Sequence, residues 1–145
     1  MEMISMEYDF KIERSALWDL LTNPEMTKQY MFGSEVISNW EVGSSVLWKG
    51  LTEDQKEILY VKGEVTEIQM GEKVTFTMFD PNIGVEDVPE NYVSLTYELK
   101  DIEGGTRLLL TQGDFATVAN GKGRMEDSAK GWEMVLPAMK ELVEK

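Results

Sequence analysis

Residues 125–143, MEDSAKGWEMVLPAMKELV, decide the fold class. Read with a helical period, Met125, Ser128, Ala129, Trp132, Val135, Leu136, Met139, Leu142 and Val143 share one side, while Lys130, Glu133, Lys140, Glu141 and Glu144 lie mostly opposite. A helix with such a stripe needs a second layer to cover it, because each Å² of apolar surface left in water forgoes roughly 25 cal/mol. Pro137 falls inside the pattern and removes the backbone bond to the Glu133 carbonyl, so a kink or local break is expected there. The preceding Asn120-Gly121-Lys122-Gly123 reads as a turn-rich lead-in.

The covering layer is legible immediately upstream. Alternation groups Val46 with Trp48, then Val74, Phe76 and Met78, then Val93, Leu95, Tyr97 and Leu99, then Leu108, Leu110 and Gln112. Turn signals at Val42-Gly43, Thr52-Glu53-Asp54, Met70-Gly71 and Gly104-Gly105 separate these runs by hairpin-sized gaps. A longer strand runs from about Lys56 to Ile68, with Gly63 as the expected site of a bulge.

Nearer the N-terminus, Ile4, Met6, Tyr8, Phe10 and Ile12 alternate with polar residues and form a half-buried strand. Leu17, Leu20 and Leu21 then set a helix with Ser15 as its expected N-cap, and Asn23-Pro24 ends it and starts a second short helix up to about Phe32. Strand, two short helices, about six strands and a long helix make an α+β pattern: an antiparallel sheet of six to seven strands, covered on one face by the terminal helix. Hairpins without crossover helices exclude a parallel α/β arrangement. No linker divides residues 1–145, so one domain is expected, and its length suffices for a sizeable core.

Charge and composition remove several function classes. Lys and Arg number 14 against 27 Asp and Glu, and the net charge of −13 repels phosphate backbones and anionic membranes. Nucleic acid is therefore not an expected partner, and the absence of any apolar run near the ~18 residues of a membrane span argues against membrane insertion. The first residues lack the basic and apolar regions of a secretory signal, so the expected location is cytoplasmic. With no Cys and no His, disulfides, thiolate metal sites, imidazole bases and the common zinc sites are all excluded. Glu86, Asp87 and Glu90 cluster before a strand, but their spacing matches no calcium loop and reads as a structural or entrance segment. No metal, cofactor or catalytic residue is assigned.

The run Trp40-Glu41-Val42-Gly43-Ser44-Ser45-Val46-Leu47-Trp48-Lys49-Gly50 resembles the W-x-x-G-S…W-x-G stretch of bacterial homologues of the C-terminal domain of the heat-shock-protein-90 ATPase activator. These belong to the START-like, or SRPBCC, superfamily. The likeness continues in order through Gly63-Glu64-Val65, Glu86 to Tyr92, Gly105-Thr106-Arg107-Leu108 and Gly131-Trp132-Glu133. It implies a helix-grip fold, like that of the birch-pollen allergens, with a cavity between terminal helix and curved sheet. Across the superfamily that cavity serves lipids, polyketides, sterols, hormones and protein partners, so membership leaves function open.

On this arrangement Trp48, Phe76, Met78, Leu95, Tyr97, Leu110 and Gln112 of the strands face Met125, Trp132 and Leu136 of the helix, with Trp40 at the edge. They form a candidate ligand-binding set of the apolar kind that small-molecule pockets favour. The alternative is that they simply fill the core. Tyr97 and Gln112 stand out, since a hydroxyl or amide on an apolar face needs a partner, whether ligand, water or backbone. Met26, Met31, Met78, Met125, Met134 and Met139 offer either an adaptable lining or ordinary packing.

Three functions follow. The leading one is binding or carriage of a small apolar or amphipathic molecule by a monomer or homodimer. A chaperone-linked interaction protein is the second; a single domain leaves no room for the separate N-terminal domain of the family's co-chaperones. A cyclase or hydrolase is the third, and it requires an ionisable group inside the cavity, where the clear strands place none.

Overall fold

The computed structural model of the protein describes residues 2–144. β1 (Ile4–Phe10) leads into α1 (Arg14–Thr22) and α2 (Pro24–Tyr30). There follow β2 (Glu35–Ser38), β3 (Ser45–Leu51), β4 (Glu57–Gln69), β5 (Lys73–Met78), β6 (Val93–Ile102), β7 (Gly105–Gly113) and α3 (Gly121–Val143), with a 3-10 turn at Pro89–Asn91. Among the described residues the strands make one seven-stranded antiparallel sheet in the order β1-β7-β6-β5-β4-β3-β2. Six strands are thus a hairpin meander, and β1 joins its far edge by pairing Ile4 to Phe10 against Gln112 to Thr106 of β7. This is the α+β arrangement that strand alternation and the terminal stripe predict, and the helix-grip fold that the family resemblance implies.

Alternation sorts side chains to the two faces as expected. On β6, Val93, Leu95, Tyr97 and Leu99 are buried, and on β7 Thr106, Leu108, Leu110 and Gln112 are buried. α3 covers this inner face with Trp132, Val135, Leu136 and Met139, the last wholly buried. Near its end Lys140 donates to the Asp9 carbonyl at 3.3 Å and sits 5.7 Å from the Tyr8 ring centre, tying the helix to β1. α1 contributes Leu17, Leu20 and Leu21 to the same core. The α1–α2 corner is fastened by the Tyr30 hydroxyl, which donates to the Leu20 carbonyl at 2.8 Å. Asn23 caps α2 through its side chain, accepting from the Glu25 N–H at 2.9 Å, with Pro24 at the first helical position.

Four local expectations are corrected. Ser15 is not the N-cap of α1: the helix starts at Arg14, Glu13 occupies the cap position without a side-chain hydrogen bond, and the Glu13 carbonyl already accepts from the Leu17 N–H. Gly63 is not a bulge. The register shifts instead between Trp48 and Lys49, opposite Leu59 and Val61, and between Val65 and Glu67, so Tyr60 and Thr66 are the extra residues. Gly63 is needed because a Cβ there would lie 1.6 Å from the Thr77 carbonyl oxygen. Residues 121–123 are the first turn of α3 and not a lead-in, with the Arg124 N–H bonded to the Asn120 carbonyl. Gly121 is there for close packing, since a Cβ would meet the Phe115 carbonyl oxygen at 1.9 Å.

Pro137 does not break α3, which runs from Gly121 to Val143. Pro137 and Glu133 are both exposed, so the carbonyl that loses its intrahelical donor faces water, which satisfies it. The ring still costs helix stability. Pro137→Ala should raise the unfolding free energy by about 1–3 kcal/mol, measured by urea denaturation.

Candidate functional site

Between α3 and the β3–β5 side of the sheet lies a half-open apolar pocket of about 370 Å³. Trp48 of β3, Tyr60 and Val61 of β4, Met78 of β5 and Trp132 of α3 form its walls, and Met31, Phe32 and Ser34 form its lip. Two local devices shape it. The extra residue at the β3–β4 irregularity turns both Tyr60 and Val61 toward the pocket, where strict alternation would present one of them. After α2, Phe32 and Gly33 take consecutive left-handed conformations, with φ of 53° and 79°, and this swings the lip over the opening.

The Ser34 hydroxyl donates to the Met31 carbonyl at 2.7 Å and so is engaged in holding the lip. Thr27 pins the same turn from beneath. Its hydroxyl donates to the Ser34 carbonyl at 3.1 Å and accepts from the Val36 N–H at 3.1 Å.

Behind the pocket runs a path of edge-to-face aromatic contacts. Trp40 meets Phe76 at 6.1 Å between ring centres, Phe76 meets Tyr97 at 5.9 Å, and Tyr97 meets Trp132 at 6.2 Å. Each such pair is worth about 0.5–1.5 kcal/mol beyond its burial, so the path stiffens the rear wall. It ends in a hydrogen bond from the Trp132 indole N–H to the Gln112 amide oxygen at 2.9 Å. Burial pushes the Tyr97 phenol far above its usual range, so it stays protonated near neutral pH. Its oxygen and the Trp48 indole nitrogen are buried and find no hydrogen-bond partner among the described residues.

Of the predicted set, Trp48, Met78 and Trp132 border the pocket directly. Phe76, Leu95, Tyr97, Leu110 and Leu136 are buried core beneath it, and Trp40 is partly buried against that core. Gln112 lies behind Met78, lining a neighbouring hollow. Met125 borders neither: it lines a separate depression with Phe115, Val118 and Ala129 near the start of α3. Among the other methionines Met31 reaches the pocket, Met139 is core, and Met134 is exposed.

Phe32, Ser34, Tyr60 and Val61 were not anticipated, and Met31 was offered only among the methionines that could give an adaptable lining. The Phe32-Gly33 step at a helix end was the available signal for the lip, while nothing in the alternation marks the displacement at Tyr60. Asp87 lies away from the pocket on the sheet's outer face, where it pairs with Lys62 and accepts from the Tyr92 hydroxyl at 2.7 Å. Asp87 is thus engaged in contacts of its own there, and none of residues 86–90 lines this pocket. Among the described residues no three acidic side chains converge as a cation site, and no helix is long and apolar enough to cross a membrane.

A seven-stranded antiparallel sheet gripping a long terminal helix over an apolar pocket defines a START-like helix-grip protein. Residues 11–144 match the family described as Activator of Hsp90 ATPase homolog 1-like protein, and the chain belongs to that family. ChR145 from Cytophaga hutchinsonii is similar, with 28% identity and a TM-score of 0.78, covering 99% of this chain and 94% of its own. PFC0360w, an HSP90 activator from Plasmodium falciparum, is 17% identical with a TM-score of 0.74, covering 99% of this chain and 96% of its own. NE0264 from Nitrosomonas europaea is 16% identical with a TM-score of 0.76, covering 99% and 94%. At those last two identities the likeness is one of fold. No curated protein matches the sequence.

Proposed function

We propose that the protein, acting as a single domain, binds or carries a small apolar or amphipathic molecule in the pocket between α3 and the sheet. The observation that carries this is the pocket itself: about 370 Å³, within the range of small-molecule sites and walled by aromatic and thioether side chains. Two further features support it. Phe32 is 65% exposed at the lip and holds φ of 53°, so it bears both hydrophobic exposure and backbone strain in a place where a bound apolar body would cover its ring. Met31 and Met78 give the walls a polarizable, adaptable surface.

Native mass spectrometry of protein purified gently from its own source tests the reading. A dissociable adduct of small-molecule mass is expected, and protein that arrives bare and takes up no apolar compound would overturn it. Phe32→Gly separates the cost of the lip from its use. Stability should hold within about 1 kcal/mol, because relief of the left-handed strain offsets the entropy of glycine. Affinity for an apolar probe should fall roughly five- to tenfold with the loss of the covering ring.

A second reading, interaction with a chaperone, is favoured by family membership and by the fold shared with the Plasmodium HSP90 activator. Stimulation of the cognate chaperone's ATPase at saturating protein would support it, and an unchanged rate would end it.

A further inference from the structure

Gln112 and Arg124 border a smaller cavity of about 170 Å³ that shares Val61 and Met78 with the apolar pocket, so the two spaces adjoin. The Gln112 amide has a determined orientation. The Trp132 indole N–H can only donate, so the oxygen of Gln112 must face it, as the 2.9 Å bond requires. The NH₂ end therefore points away from Trp132, where its partner is the Met78 sulfur at 3.7 Å. A thioether is a weak acceptor, and this amide belongs to a residue only 4% exposed, so most of its donor capacity is unspent.

Arg124, in the first turns of α3, supplies the second donor. One terminal nitrogen is held by the Asn91 carbonyl at 2.7 Å, which orients the guanidinium. It makes no ion pair among the described residues. Partial burial lowers its pKa from the usual arginine range, opposed by the field of Asp80.

We propose that this adjoining space receives the head of an amphipathic carboxylate, with hydrogen bonds from the Gln112 amide and Arg124, while the hydrocarbon body occupies the Trp48–Trp132 pocket. The inference rests on the ligand-binding reading above and narrows it to a chemical class. Asp80 and Asp127 also border the space, and with a net charge of −13 they set a limit. The lining holds two carboxylates against one guanidinium, so a phosphate dianion adds two charges to an already negative border, whereas a carboxylate adds one, spread over two oxygens that one guanidinium and one amide can bond.

Calorimetric titration with decanoate, decanol and decyl phosphate tests this on the full chain. The wild-type protein is expected to bind decanoate more tightly than either analogue. Arg124→Met should weaken decanoate roughly tenfold and leave decanol unchanged, and Arg124→Lys should restore part of the loss. Equal wild-type affinity for decanoate and decanol, tighter binding of decyl phosphate, or equal losses for acid and alcohol in Arg124→Met would overturn the carboxylate assignment while leaving an apolar pocket in place. Failure of all three compounds to bind would overturn both.

Discussion

Gly63→Ala should destabilise the protein by about 4 kcal/mol, at the severe end of single substitutions, although it adds one methyl group to a sheet that accepts methyl groups elsewhere. Gly63 pairs with Val46 of β3, and on its other side β5 passes so close that a Cβ would stand 1.6 Å from the Thr77 carbonyl oxygen and 2.5 Å from its carbon. The obstacle is backbone, so no rotamer change relieves it. Separating the strands would strain the Glu64 N–H bond to the Thr77 hydroxyl at 3.0 Å and the bridge between Lys62 and Phe79. Urea denaturation followed by far-ultraviolet circular dichroism reads the loss. Gly131→Ala is the contrasting substitution, because Gly131 lies inside α3 with nothing within 4 Å of a Cβ. It should stabilise by about 0.5–1 kcal/mol, the ordinary helix preference for alanine.

Trp132→Ala should cost about 3–5 kcal/mol and abolish saturable binding of apolar probes. Trp132 is 6% exposed and joins three features: it is a wall of the pocket, the end of the aromatic path through Tyr97, and the donor to Gln112. Truncation leaves a void under α3 and strands the Gln112 amide oxygen, which alone costs about 1–3 kcal/mol in a buried setting. Trp132→Phe separates these contributions, keeping most of the volume while removing the donor. Chemical denaturation gives the stability of both variants, and a probe titration under native conditions gives the binding.

The difference between what was legible in the residues and what was not has a physical origin. Strand alternation carried Trp48 and Met78 to the pocket and the helical stripe carried Trp132, because period two on the sheet and the 3.6-residue period of the helix each set side-chain direction without tertiary information. The same rule failed at Tyr60 and Val61, where a displaced register puts neighbours on one side. It had no purchase on Met31, Phe32 and Ser34, whose placement follows from two successive left-handed residues after a helix end.

Glycines misled for a related reason. At positions 63 and 121 glycine answers a close backbone approach from a distant strand or loop, while sequence reading offers a bulge or a turn for the same residue. Pro137 was read as the site of a kink or local break, but its exposure lets water satisfy the Glu133 carbonyl and the helix continues without a break. The apolar set beneath the pocket also shows why facing residues are not all lining residues. Leu95 and Leu110 point inward as alternation requires, yet they lie fully buried below the floor.

Nuclear magnetic resonance of the four indole N–H groups during titration with decanol tests the central claim most directly. Trp48 and Trp132 border the pocket, and Trp18 on α1 does not. The account predicts saturable shifts of the Trp48 and Trp132 resonances with Trp18 unmoved; absence of any saturable indole shift, or shifts led by Trp18, would contradict it.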